Sequence, residues 1–259
     1  MSPILIDFLK YPELRHLELD DPETTIARKS ILQKNRFLWN IYFDWYQSIK
    51  KEIPENAENI IEIGSGAGFS EEMIPAIIKS DILFLPFSDL TINAHHLPVT
   101  NKIFDAVIMI NVFHHLPYPY RFMYEINRTL REGGKLVMIE PWITSWSKWV
   151  LPRLHHEPFQ MEGDLESPRE HQPLSGANQA IPWIVFERDK DYFLGEFPNL
   201  KLQKLDLLMP FRYLFSGGFS FRLHAPGWSY KYAKFLDSVM EKRIKKWAMF
   251  ALLVVEKVR

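Results

Sequence analysis

The stretch "IIEIGSGAGFS", residues 60–70, joins a short apolar run carrying Glu62 to glycines at 64, 66 and 68. Ile60 to Ile63 is too brief for a helix and reads as a buried strand that the glycines then punctuate. A strand, a Gly-rich turn and a helix form a general holder for an anionic or polar ligand, because glycine lets backbone N–H groups approach closely. The dinucleotide fingerprint G-x-G-x-x-G would need glycine at 64, 66 and 69, and position 69 is Phe69, which disfavours a pyrophosphate. A nucleoside-triphosphate loop, G-x-x-x-x-G-K-[ST], is absent from the sequence.

Outward from this turn the pattern alternates. On the C-terminal side, "SEEMIPAII" predicts a helix, "SDILFL" and "DLTINA" predict strands, and "FDAVIMINVF" predicts a further strand. "PYRFMYEINRTLREGG" then predicts a helix stopped by its glycines, and "KLVMIEP" the fifth strand. Such alternation predicts an α/β fold: a Rossmann-like, mainly parallel sheet with helices on both faces and ligands at the carboxyl ends of its strands. On the N-terminal side, Pro22 to Ile53 shows helical spacing at Ile31, Leu38, Ile41, Trp45 and Ile49, which predicts one or two helices. After Pro141 a Trp-, Pro- and His-rich stretch to about residue 185 is too long for an ordinary connection and reads as a lid or substrate elaboration. Beyond it come a helix around "ERDKDYFLGEFP", a strand "LKLQKLDLL", a loop "FSGGFSF", a helix from about Ser229 to Lys246 and a final strand in "WAMFALLVVE". The expected division is a helical cap over residues 1–55 and one sheet domain over 56–259, elaborated at about 142–185.

"IEIGSGAG", "DLTINAHHLPV" and "FDAVIMINVFHHLPYPYRFMYEINRTLREGGKLVMIEP" together resemble the class I S-adenosylmethionine-dependent methyltransferases, over roughly residues 58–143. The resemblance implies S-adenosylmethionine as cofactor and S-adenosylhomocysteine as product. It implies that Glu62 lies near the cofactor's amino group and that Gly64, Ser65, Gly66 and Gly68 shape the turn around its methionine moiety. A second carboxylate is expected on both ribose hydroxyls: Asp81 is favoured by spacing, and Asp89 stays open because "ILFLPFSD" lacks the family's usual helix. Asn93 and the Ala94 backbone would meet the adenine, where the family often has an acidic residue. Asn111, Val112 and Phe113 would flank the methionine portion and the transferring methyl.

Methyl transfer from a sulfonium is an in-line displacement whose leaving group the cofactor has already activated, so alignment matters more than a strong base. Candidate bases are His114 and His115, beside the expected pocket, and His156, in "RLHHEPF" with His155 and Glu157. Packing or loop roles compete for each of them. The histidines occur as adjacent pairs (His95–His96, His114–His115, His155–His156), and neighbours do not share one face of a helix or strand, so no metal site is expected. Trp142, Trp146 and Trp149 are spaced for one helical face, and "EKRIKKW" reads as a solvated run.

Composition narrows the function classes. Lys plus Arg number 31 against 32 Asp plus Glu, a net charge of -1, so no field recruits nucleic acid. There is no cysteine, hence no disulfide and no thiolate metal site. No apolar run reaches the ~20 residues of a membrane span, and the N-terminus does not read as a secretion signal, so a cytoplasmic location is expected. The resulting expectation is methylation of a small-molecule or glycan-like acceptor, with oxygen as the preferred acceptor atom. A nicotinamide-dependent oxidoreductase and a non-catalytic S-adenosylmethionine-binding protein are the alternatives.

Overall fold

Every side chain of "FDAVIMI" is buried, which places this strand, β4 (Phe104–Ile110), inside a sheet covered on both faces. The computed structural model describes residues 9–154, 157–163, 165 and 174–259. The other strands are β1 (Ile60–Ile63), β2 (Ile77–Asp81), β3 (Leu90–Thr91), β5 (Leu130–Pro141), β6 (Leu200–Leu208) and β7 (Phe250–Lys257). They form one sheet in the order β3-β2-β1-β4-β5-β7-β6. The first five run parallel, and β7 lies antiparallel between β5 and β6. The order reverses beside β1, so the turn after Ile63 opens at the crevice where such sheets bind ligands.

Among the described residues, ten α-helical segments flank the sheet: α1 (Pro22–Lys34), α2 (Arg36–Glu52), α3 (Ser70–Met73), α4 (Pro119–Thr129), α5 (Ser145–Leu154), α6 (Ile181–Trp183), α7 (Lys190–Glu196), α8 (Arg212–Ser216), α9 (Tyr230–Val239) and α10 (Ile244–Trp247). α2 buries Phe37, Leu38, Ile41, Tyr42, Trp45, Tyr46 and Ile49, a stripe at the helical repeat. The stripe packs against Ile60, Ala106, Ile108, Val137 and Val254 of the sheet. Asn35 separates α1 from α2: its Oδ1 accepts from the Leu38 N–H at 3.0 Å and its Nδ2 donates to the Ser216 carbonyl. Each large apolar side chain fully buried here contributes ~1.5–3 kcal/mol, and truncating Trp45 to alanine would cost ~3–5 kcal/mol. On the opposite face, Phe122, Met123 and Ile126 of α4 pack with Ile184, Phe186 and Phe193 against Val107, Leu136 and Leu253.

Several local expectations are corrected. The helix in "SEEMIPAII" stops at Met73, because Pro75 disfavours helical backbone at Ile74 (φ -132°, ψ 83°), and Ile77 already belongs to β2. β2 consequently ends at Asp81 rather than running to Leu85, and β3 is only two residues long. α4 ends at Thr129, not at the glycines, since Leu130 is already extended. Gly133, at φ +76°, instead turns the chain inside β5, where the register with β4 shifts. The helix expected over 229–246 is interrupted after Val239, and the last strand begins at Phe250 rather than Trp247. Trp142 lies before α5 and is buried, while Trp146 and Trp149 stack on α5 with ring centroids 5.5 Å apart, so the three do not share a helical face.

Candidate active site

The glycine turn is specified at single-atom detail. Gly64 has φ +67°, and a Cβ there would come within 2.6 Å of a Val112 methyl. Gly66 has φ +47°, and its N–H donates to Asp81 Oδ2 at 2.9 Å. The Ser65 N–H donates to the Ser80 carbonyl, which fastens the turn to β2. Only glycine adopts this path at no steric cost.

Two cavities meet at this turn, sharing Gly64, Ile82 and His115. The first, of about 190 Å³, reaches from Glu62, the glycines and Asp81 to Arg28, Tyr42, Glu157 and Tyr213. The second, of about 460 Å³, is walled by Ile92, Asn93, Ala94, Leu116 and Tyr118 among others. Together they present a polar end, a central turn and an apolar end to one elongated ligand.

Glu62 is only 1% exposed; its carboxylate accepts from Tyr46 Oη at 3.1 Å and from Ser70 Oγ. Burial outweighs these hydrogen bonds and pushes its pKa up to about 7. Asp81 accepts from the Gly66 and Leu83 N–H groups, one on each oxygen, and burial raises its pKa as well. Asp89 accepts from the Lys79 N–H and lines neither cavity. Asn93 Oδ1 accepts from the His95 N–H at 2.9 Å, and Asn93 lines the second cavity. Gly68 also lines the first cavity, and its carbonyl accepts from Lys29 Nζ.

Asn111, at φ +56°, and Val112 line the first cavity. Phe113 does not line either cavity: its side chain is fully buried against Phe122 and Phe186. Its contribution is a backbone N–H, which with that of Val112 donates to Glu140 Oε1, at 2.7 and 2.8 Å. Glu140, fully buried at the end of β5, uses Oε2 to hold His114 Nδ1 at 2.6 Å. His114 Nε2 faces Glu157 Oε2 at 3.3 Å, and His115 Nε2 faces Glu157 Oε1 at 3.7 Å. Burial opposes a charge on His114, but Glu140 and then Glu157 overcome it and push its pKa up to about 9. With a carboxylate against each ring nitrogen, the protonated form of His114 is favoured. His156 lies outside the described residues.

Sequence reasoning overlooked Glu140, Arg28, Tyr42 and Tyr213. Glu140 stood at the end of a predicted strand, the one available signal. Arg28 comes from α1; burial lowers its pKa, and its Nε is buried without a hydrogen-bond partner among the described residues. Burial pushes the Tyr213 phenol up to about 12 and raises Tyr42 further, so both stay protonated.

Residues 68–138 match the family model described as a methyltransferase domain. The sequence matches no curated protein. Among solved structures, an S-adenosylmethionine-dependent methyltransferase from Thermotoga maritima superposes with a TM-score of 0.52 at 16% identity, covering 87% of this chain and 92% of that one. A chain from the complex of the Haloferax volcanii Trm112 methyltransferase activator with a methyltransferase gives 0.50 at 14% identity, covering 90% and 94%. The match runs from the last glycine of the turn into β5, so this part of the chain is similar to a methyltransferase domain, carried on an α/β fold like that of solved S-adenosylmethionine-dependent methyltransferases.

Proposed function

We propose that the enzyme transfers the methyl group to an oxygen of a small-molecule or glycan-like acceptor held in the first cavity beside His114, His115 and Glu157. The observation that carries this reading is the continuity of the first cavity, which runs from the buried Glu62 past Asn111 and Val112 to His115 and Glu157. In this reading Glu62 receives the cofactor's ammonium and Arg28 its carboxylate. Asp81 takes the ribose hydroxyls with the lone pairs left after Gly66 and Leu83, a capacity an ionised carboxylate has. Ile82, Asn93, Ala94 and Leu116 enclose the adenine in the second cavity. The elaboration after β5 acts as a lid, since Leu151, Glu157, Leu174 and Gln179 close the chamber.

When bound, the cofactor supplies an activated methyl group on a positively charged sulfur. The acceptor oxygen forms the new C–O bond, the S–CH3 bond breaks with its electron pair going to sulfur, and the acceptor loses its proton. The chain's task is alignment and exclusion of water, for which oriented effective molarities are worth ~7–11 kcal/mol. His114, fixed between Glu140 and Glu157, positions the polar wall of the chamber. A pyrophosphate cofactor fits poorly: Phe69, where a third fingerprint glycine would stand, is buried and stacked on Trp39 with centroids 5.0 Å apart.

Calorimetric titration with S-adenosylmethionine, S-adenosylhomocysteine and NAD tests the cofactor assignment. Micromolar binding of the first two alone is expected, and preference for NAD would overturn it. Radiolabelled methyl transfer to a panel of hydroxyl, amine and carbon acceptors then tests oxygen as the acceptor atom.

A further inference from the structure

We propose that His114, His115 and Glu157 bind one divalent transition-metal ion, and that the ion's open positions hold the acceptor oxygen for methylation. The sequence argued against such a site, because adjacent histidines on a regular helix or strand diverge. Here both histidines sit in a short 3-10 turn, Phe113–His115, with ring centroids 4.2 Å apart. Glu157, far along the chain, arrives against both. One ligand atom from each of the three residues lies within 4.8 Å of the others.

The spacing matches a coordination sphere. Metal–nitrogen and metal–oxygen bonds of ~2.0–2.2 Å at octahedral or tetrahedral angles put neighbouring ligand atoms ~3.0–3.5 Å apart. Glu157 Oε2 stands 3.3 Å from His114 Nε2, and Oε1 3.7 Å from His115 Nε2. The first edge lies within that range and the second, on the other carboxylate oxygen, just outside it; with all ligand atoms within 4.8 Å of one another, the three residues close around an ion by a modest side-chain adjustment.

The surroundings supply the outer layer such sites carry. A metal-bound histidine characteristically donates its other ring N–H to a carboxylate, which fixes tautomer and ring orientation. Glu140 does this to His114 Nδ1 at 2.6 Å, leaving Nε2 aimed at Glu157. Glu140 is itself held by the Val112 and Phe113 N–H groups, and the Gln179 amide donates to Glu157 Oε2 at 3.0 Å. All three ligands line the first cavity, so the remaining coordination positions face the chamber. Two imidazoles and one carboxylate select zinc, iron, cobalt or manganese over magnesium, which prefers oxygen ligands and water.

Such an ion would act as a Lewis acid on the acceptor's hydroxyl, lowering its pKa so that the proton leaves to solvent and the bound oxygen attacks as the anion. This step rests on the methyl-transfer reading above; the ion site does not. The acceptor class it selects is one with a hydroxyl or enol oxygen able to enter a metal's inner sphere.

The test uses the full chain stripped with a chelator, titrated with Zn2+ by calorimetry and with Co2+ by visible absorption, with Mg2+ as comparison. One equivalent of Zn2+ or Co2+ is expected to bind at micromolar or tighter affinity, with ligand-field bands for Co2+. His115→Ala and Glu157→Ala should each weaken this by at least tenfold, and Glu140→Gln by about tenfold. Near-ultraviolet circular dichroism verifies that the variants are folded. No saturable uptake of either ion by the wild-type chain, or uptake unchanged in both ligand variants, would overturn the proposal. Metal uptake as expected in a chain that binds no S-adenosylhomocysteine would leave the site standing and remove the methyl-transfer reading instead.

Discussion

Gly68 sits so close beneath the phenol of Tyr46 that a Cβ on it would overlap the Tyr46 oxygen. The same oxygen donates to Glu62. The third glycine of the turn thus makes room for the tyrosine that supports the buried carboxylate, whereas Gly64 and Gly66 serve the left-handed backbone. Gly68→Ala is expected to lower unfolding stability in urea by ~1–3 kcal/mol, the usual cost of overpacking. It should also weaken S-adenosylhomocysteine binding, because Tyr46 must move. Unchanged urea midpoint and affinity would show that α2 yields without cost.

Glu62, proposed above to receive the cofactor's ammonium, is predicted to make cofactor binding pH-dependent. Its pKa in the fold is about 7, raised by burial from 4.5. The unfolded chain therefore releases this proton first, and the stabilising contribution, complete below pH 4.5, is lost as pH rises through 7. An ammonium placed beside Glu62 favours the ionised form, so the affinity for S-adenosylhomocysteine should rise with pH and level off above 7. A weakening of about tenfold from pH 8 to pH 6 follows from one ionisation. Calorimetry across that range should show this slope in the wild type and a flatter one in Glu62→Gln.

Asp81 and Asp89 are separable by substitution. Asp81→Ala removes both the acceptors of Gly66 and Leu83 and the group assigned to the ribose. Loss of charge-assisted hydrogen bonds at ~1.5–3 kcal/mol each predicts at least a tenfold weaker dissociation constant. Asp89→Ala, on a residue whose carboxylate serves the Lys79 N–H outside both cavities, should leave it unchanged. The reverse pattern would exchange their roles.

Arg28→Met tests the remote end of the cofactor. A guanidinium on the methionine carboxylate should contribute at least a tenfold difference in affinity for S-adenosylhomocysteine, since hydrogen bonds to charged groups are worth ~1.5–3 kcal/mol. Adenosine, which lacks that carboxylate, should bind both proteins alike. Equal S-adenosylhomocysteine affinities would place Arg28 on the acceptor instead.

The parts legible in the sequence are those set by local rules. β1, β4 and β6 appear as apolar or alternating runs, α1 and α2 as a helical stripe, and Gly64 and Gly66 as a turn that needs bare backbone. Elements governed by partners were misread: α4 stops before its glycines because Leu130 must pair with Phe104, a non-local demand. Pro75 was a readable stop for α3 that the charged start of "SEEM" concealed. Glu140, Glu157 and the two histidines illustrate the deeper limit. Their chemistry depends on a strand end, a 3-10 turn and the elaboration after β5 converging, and no spacing in the chain encodes that convergence.

The placement of β7 has a consequence for synthesis. Among the described residues β6 pairs only with β7 in the sheet, yet it leaves the ribosome earlier than β7 does. While the chain is emerging, β1 to β5 can assemble in parallel, but β5 keeps an open edge and β6 has nothing to join. Unpaired edges of this kind attract foreign strands, and long-range pairings form slowly. The nascent chain is therefore expected to be most exposed to mispairing in the interval between β6 and β7, when the β5 edge is open.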